Sequence, residues 1–253
     1  MKLATLKNAT RDGRLVVVTR DLTRCTDASF LAPTLQRALD DWARVAPHLA
    51  ALAESLEHGA VPAERFHEHD AMSPLPRAFR CAQAQDDGSW RETAGDGFSG
   101  PRDGVIAPGT DIAIGLAAIL GDLAAGDAGE IAADAAMLVM AAAFAGEATV
   151  AFSPVAVTPD ELDGAPQLTA TINGKTGRSV AIIADFAALA ANAAKWRAVG
   201  AGAIVATGSA SLAKSFGRDG GLGEGETARI EAKDAKGHSL LGAIEMIAQA
   251  RPV

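Results

Sequence analysis

The sequence predicts an α+β protein built on a rolled mixed β-sheet, barrel-like in form, with a small αβ unit at its N-terminus. Three observations carry that reading. Apolar residues make up 49% of the 253 and charged residues 21%, the balance of a globular chain. Asn/Asp/Gly turn signals join β-prone runs into hairpins. These hairpins outnumber strand-helix-strand units, which argues against a doubly wound sheet. A chain of this length buries a substantial core. With 4% aromatic residues and no Tyr, that core must come largely from Ala, Val, Leu and Ile.

The elements follow in order. KLATLKNATRDGRLVVVTRD places two β-prone runs around a polar turn, a hairpin. From Pro33 to Leu56, apolar residues at Leu35, Leu39, Trp42, Val45, Leu49 and Leu52 keep the spacing of three and four that marks one or two amphipathic helices. Residues 1–72 are therefore expected to form the small domain and residues 73–253 the larger one. Asp70 to Pro108, with DDGSW, GDGFSGP and PRDG in quick succession, reads as loop. GTDIAIGLAAIL, residues 109–120, reads as a buried strand with one carboxylate, Asp111, at its mouth. Gly129 to Ala145 reads as an Ala-rich helix, and 148–157 as strands. LTATINGKTGRSV is a hairpin through Asn-Gly. Ala184 to Val199 reads as helix, GAIVATGS as a short strand, and ARIEAKDAKGHSLLGAIEMI as a closing hairpin. The chain has no internal repeat.

Composition also excludes partners. With 23 basic and 31 acidic residues the formal charge is -8, which repels a phosphate backbone, and no Lys/Arg cluster offsets it. Neither nucleic acid nor an anionic membrane is an expected partner. The longest uncharged apolar run, Ala135 to Gly146, has 12 residues, too few to span a bilayer. The N-terminus carries charge where a secretion signal needs its apolar stretch. Cys25 and Cys81 stand far apart with no second thiol at ligand spacing, so a reducing, cytoplasmic setting is expected.

Three short motifs invite a chemical reading. His67 and His69 in HEHD share strand spacing with Asp70 beside them, yet no further ligand at helical spacing supports a metal site, and a solvated linker is the expectation. GLGEGE, Gly221 to Glu226, resembles a phosphate loop, but Glu224 and Glu226 put negative charge where phosphate would bind, so a tight turn is expected. TGSAS, Thr207 to Ser211, ends a strand in small hydroxyls without the GxSxG nucleophile elbow.

Several segments taken together resemble the fumarylacetoacetate hydrolase (FAH) family. MKLATLKN, RDGRLVVVTRDL, APTLQRALDDWARVAPHL and PLPRAFR are similar to the N-terminal region of a bacterial branch of that family. AFSPVAVTPDEL, LTATINGK, ALAANAAKWRAVGAGAIV and RIEAKDAKGHSLLGAIE are similar to its C-terminal catalytic domain, in the same order. The resemblance implies an FAH-like rolled mixed sheet, a homodimer, and metal-dependent hydrolysis of carbon-carbon bonds in fumarylacetoacetate or acylpyruvate-type substrates, with Mg2+ or Mn2+ held by carboxylates.

It also implies that this chain departs from the pattern at each functional position. The family's strand glutamates, two residues apart, fall on Ala113 and Gly115; the next aspartate ligand falls on Ala141, after Met140; and the lysine before AFSP falls on Glu147. Two residues apart on a strand is the spacing that turns two carboxylates to one ion, and here both are gone. The segment between PLPRAFR and GFSGP is shortened to CAQAQDDGSWRETAGD, which lacks the family's histidine-glutamate pair and leaves Asp86, Asp87 and Asp96 as stray carboxylates. The degenerate pocket positions are thus Asp111, Ala113, Gly115, Ala141, Glu147 and Ser209, with no catalytic residue, metal ligand or cofactor expected. The expected role is a pseudoenzyme or binding subunit, taking a small oxoacid or pairing with an active homologue. The alternative is an active hydrolase, tautomerase or decarboxylase with a rearranged site.

Overall fold

A computed structural model describes residues 1–85, 87–126, 137–146, 149–162, 164–182, 184–234 and 236–250. The opening hairpin forms as the alternation requires. Strands Lys2–Leu6 and Arg14–Val18 pair from Lys2 with Val18 to Leu6 with Arg14, and Arg24–Asp27 adds a third strand. The connecting turn ends at Gly13 (φ +60°), where an added Cβ would lie 2.5 Å from Thr5 Cγ2, so only glycine fits. Helices Leu35–Leu39 and Trp42–Glu57 follow, the first N-capped by Thr34, whose side chain accepts from the Arg37 amide.

The first strand pairs on its other edge with Val155–Val157, so the N-terminal strands are continuous with the central sheet. That sheet runs on through Met137–Ala145, Ile112–Leu120, Ala203–Ala206, Cys81–Ala84 and Trp90–Thr93. A second sheet holds Lys175–Thr176, Gln167–Ile172, Thr227–Lys233, Ser239–Ala248 and Gly104–Ile106. Asn173 and Gly174 both have positive φ (48° and 77°), the backbone that a two-residue Asn-Gly hairpin turn demands.

One apolar core fills the space between the sheets. Ile112, Ile114, Leu116 and Ala143 of the large sheet meet Leu168, Ile230, Ile244 and Met246 of the small one. On the other side of the large sheet, Leu3, Leu15, Val17, Met140, Ala142 and Phe152 pack under the two N-terminal helices through Leu35, Leu39, Leu49 and Leu56. A third cluster lies under helix Phe186–Ala194. The expected α+β class and mixed-sheet architecture are thus what the chain adopts.

Two expectations are corrected. Met137–Ala145, read as the end of an Ala-rich helix, is a nine-residue strand paired along its length with Ile112–Leu120; Gly129 to Ala136 lies outside the described residues. From Leu138 to Ala145 its residues are buried against cores on both faces, and a strand enclosed on both sides reads as a continuous apolar run without alternation. The stretch from Asp70 to Pro108, read as loop, contains the hairpin Cys81–Ala84 with Trp90–Thr93 and the edge strand Gly104–Ile106. Residues 87–89 lie in the turn of that hairpin, where the Ser89 side chain and the Ser89 amide, which donates to Asp87 Oδ1 at 2.9 Å, hold the Asp87 carboxyl below its usual range. No helix among the described residues is long and apolar enough to cross a membrane.

Candidate functional site

Asp111 stands where strand Ile112–Leu120 begins, and both of its carboxylate oxygens are engaged by the chain. Oδ1 accepts from the amides of Ile112 (2.9 Å) and Ala213 (3.0 Å), and Oδ2 accepts from the Ser211 hydroxyl at 2.5 Å. Ser211 Oγ in turn accepts from the Lys214 amide, capping the short helix Leu212–Ser215. The carboxylate therefore serves as a cap that ties the strand mouth to this turn. Asp111→Ala is expected to cost about 1–2 kcal/mol by loss of these bonds, read as a lower midpoint in chemical denaturation. A variant as stable as the parent would show that the carboxylate has no such role.

The next two positions on the same face are Ala113 and Gly115. Ala113 is half-buried and lies opposite Phe144 on one neighbouring strand and Ser211 on the other. Gly115 is buried opposite Ala142. A Cβ added there would lie 3.0 Å from Thr207 Oγ1, 3.4 Å from the Gly208 carbonyl oxygen and 3.8 Å from Ser209 Cα. Thr207 holds this approach with two bonds, its amide donating to the Leu116 carbonyl (2.9 Å) and its Oγ1 accepting from the Leu116 amide (3.2 Å). The 207–209 segment thus lies over Gly115 in the space a longer side chain would need.

Beyond Gly115 the same face is apolar. Gly115, Ala142 and Phe152 form a row across three adjacent strands, and Ala113, Phe144 and Val150 form the next. Phe152 makes edge-to-face contacts with Phe98 (5.0 Å, 87°) and Phe144 (6.5 Å, 84°). The structure brings Asp111, Ala113, Gly115 and Ser209 together, Ser209 being exposed. It does not bring Ala141 to them. Ala141 faces the core between the sheets, its amide donating to Ser153 Oγ at 3.0 Å, while Met140 and Ala142 face the Ala113 side. Glu147 and Asp86 lie outside the described residues.

The residues at these positions do not fit a divalent metal. Ala113, Gly115 and Ala141 have no side-chain donor, Asp111 accepts three hydrogen bonds from the chain, and the described residues hold no group of three His, Cys, Asp or Glu placed to share an ion. His67 and His69 are exposed, but the segment is not a solvated linker: Glu68–Asp70 forms a 3-10 turn, and Glu68 pairs with Arg102 and accepts from the Ala243 amide at 3.2 Å. In GLGEGE, Glu226 Oε2 itself accepts from the Gly223 amide (2.7 Å) and pairs with Arg218, which holds the Glu226 carboxyl below its usual range. The segment is closed by its own acid, as a turn rather than a phosphate loop.

Two features were not foreseen from sequence. The first is a charge ladder across the second sheet: Glu68 pairs with Arg102, Arg102 with Glu245, Glu245 with Arg229 (2.8 Å) and Arg229 with Glu231 (2.7 Å). The alternation of Arg229, Glu231 and Lys233 on one strand face was its visible trace. Burial raises the Glu245 carboxyl, but the bonds from Arg102 and Arg229 outweigh it and leave the group below its ordinary value. A depressed carboxylate stabilises the fold above its unfolded pKa and loses that contribution as pH falls through its folded value. The unfolding midpoint in urea is therefore expected to hold between about pH 7 and about pH 5, and to fall below about pH 4, with Glu245→Gln flattening the fall. The second feature is a cleft of about 370 Å³ beside the PLPRAFR segment, lined by Leu35, Leu75, Pro76 and Phe79 and closed at one side by the Asp12–Arg77 pair (2.8 Å).

Comparison with known proteins places this geometry. Residues 1–77 match the family described as Fumarylacetoacetase N-terminal domain 2. No curated protein matches the chain by sequence. Among solved structures, maleylpyruvate hydrolase from Sphingobium sp. SYK-6, in complex with manganese(II) and pyruvate, is 18% identical with a TM-score of 0.71, covering 99% of this chain and 100% of that one. Fumarylacetoacetate hydrolase from Exiguobacterium antarcticum is 16% identical with a TM-score of 0.70, over 99% and 100%. The 5-carboxymethyl-2-hydroxymuconate delta-isomerase of Mycobacterium smegmatis is 12% identical with a TM-score of 0.60, over the full length of both. At these identities the likeness is one of fold.

Proposed function

We propose, from the premise that this chain is a fumarylacetoacetate hydrolase-family protein, that it acts as a non-catalytic binding subunit in which the family's metal chemistry has been replaced by packing. The observation that carries this reading is the contact of Gly115 with Thr207 on a strand face that is otherwise Ala, Met and Phe. Loss of a ligand alone leaves a hole; here the neighbouring segment lies in it, as a face selected for packing rather than for an ion would have it. The cleft of about 370 Å³ beside Phe79 is where this reading places a small oxoacid ligand, with apolar walls and the Asp12–Arg77 pair at its edge. A homodimer, or pairing with an active homologue, and a cytoplasmic setting belong to the same reading. The setting is supported by two unpaired thiols, Cys25 and Cys81, both buried, with burial the main cause that pushes each up to about 12.

The test is metal analysis of purified protein together with thermal unfolding in Mg2+ and Mn2+. The expected result is no stoichiometric metal and an unmoved midpoint. A ligand bound at a hundred times its Kd stabilises by about 2.7 kcal/mol, so bound metal with a clear upward shift would overturn the reading. Metal-stimulated turnover of an acylpyruvate would do the same, in favour of an active enzyme with a rearranged site.

A further inference from the structure

The groove between the Asn173–Gly174 hairpin and the turn after Leu212–Ser215 differs in charge from the other concavities described. It encloses about 540 Å³, and the residues that line it include Arg178, Lys214, Thr176 and Phe216 but no carboxylate. That is unusual in a chain of formal charge -8, where the other clefts each carry Asp or Glu. Several cations elsewhere are neutralised: Arg14 pairs with Asp27 and Glu64, Arg77 with Asp12, Arg218 with Glu226 and Arg229 with Glu231. Arg178 and Lys214 are both exposed, and no carboxylate lines the groove beside them.

The groove is also fixed by the backbone. The Arg178 amide donates to the Ser215 carbonyl at 3.0 Å, which ties the two cation-bearing segments together, and the Gly177 amide donates to the Ala170 carbonyl at 2.9 Å within the hairpin. Gly177 lies directly on the Phe216 ring; an added Cβ would sit 2.7 Å from Cε2. The absence of a side chain at 177 lets the hairpin press against the ring, so that Arg178 and Lys214, from two segments of the chain, line one groove. Asp111, on the strand beside this turn, is directed to Ser211 and to the Ala213 amide.

We propose that this groove binds a small organic dianion, a phosphate monoester or a dicarboxylate, with the Arg178 guanidinium and the Lys214 ammonium as the paired cations and the Phe216 ring beside the ligand's carbon skeleton. Arg supplies a planar fork for two oxygens and Lys a mobile point charge, a combination suited to compact anions. The inference does not depend on whether the metal site is lost, since no residue of the groove belongs to that face.

The experiment is titration calorimetry on the full chain at constant ionic strength, with glycerol 3-phosphate in one arm and succinate in the other. The expected result is saturable binding of at least one, weakened by about tenfold or more in Arg178→Gln with Lys214→Gln. A control pair of exposed cations away from the groove, Arg11→Gln with Arg197→Gln, should leave it unchanged. The arm that binds identifies the anion class. Binding of neither anion, or equal binding by the double variant and the parent, would overturn the proposal; Gly177→Ala, which displaces the Phe216 ring, gives a second reading without altering charge.

Discussion

Placing two carboxylates on this strand, Ala113→Glu together with Gly115→Glu, is expected to destabilise the protein by on the order of 4 kcal/mol and to create no metal centre. For a chain of this size that corresponds to a fall of roughly 10 °C in Tm. The larger share comes from position 115. Its Cβ would press on Thr207 Oγ1 at 3.0 Å, and Thr207 is held there by both of its bonds to Leu116. A glutamate must therefore break that segment's pairing or turn its carboxylate into the apolar face formed by Met140, Ala142 and Phe144. An ion cannot rescue it, because Ala141 lies on the other face of its strand and Asp111 is already engaged. Thermal unfolding of the variant with and without Mn2+ measures both parts. A variant as stable as the parent, or one stabilised by Mn2+, would show that the pocket is latent rather than closed.

Much of the fold was legible because local chemistry and tertiary structure agree over most of the chain. Asn173-Gly174 called for a tight hairpin and forms one, and the apolar spacing from Leu35 to Leu52 marked helices that bury that same face. Where the reading failed, the deciding information was non-local. MLVMAAAFA has the composition of a helix, but its place between two strands and two cores makes it a strand, and small side chains are what both cores can accept there. The Cys81–Ala84 hairpin was hidden because it extends the sheet by pairing in parallel with Ala203–Ala206, more than a hundred residues away.

The site shows the same division. That Ala113 and Gly115 carry no side-chain donor was readable residue by residue, since it depends only on side-chain identity. The face of Ala141 was not, because it depends on register: Gly115 stands opposite Ala142, so the neighbouring residue points to the other core. The closing segment was invisible for a similar reason. Thr207 approaches Gly115 only because Ala203–Ala206 runs antiparallel to Ile112–Leu120 and carries the following residues along that strand.

Phe152→Ala is expected to cost about 3–5 kcal/mol, the range for deleting a buried aromatic ring, because this ring fills the space beside Gly115 and Ala142. Phe152 is fully buried and ends the row Gly115, Ala142, Phe152, in which the first residue contributes no side chain and the second only a methyl group. A large ring beside two small residues keeps the row filled, and its edge contacts with Phe98 and Phe144 fix its orientation. Two outcomes separate this role from generic burial. Phe152→Leu should recover part of the loss by refilling volume without the ring contacts. A double-mutant cycle with Phe98→Ala should give a coupling of about 0.5–1.5 kcal/mol, the magnitude of an aromatic pair. If Phe152→Ala costs less than about 1 kcal/mol in urea denaturation, the row does not hold the face shut, and the closure over Gly115 must rest on Thr207 alone.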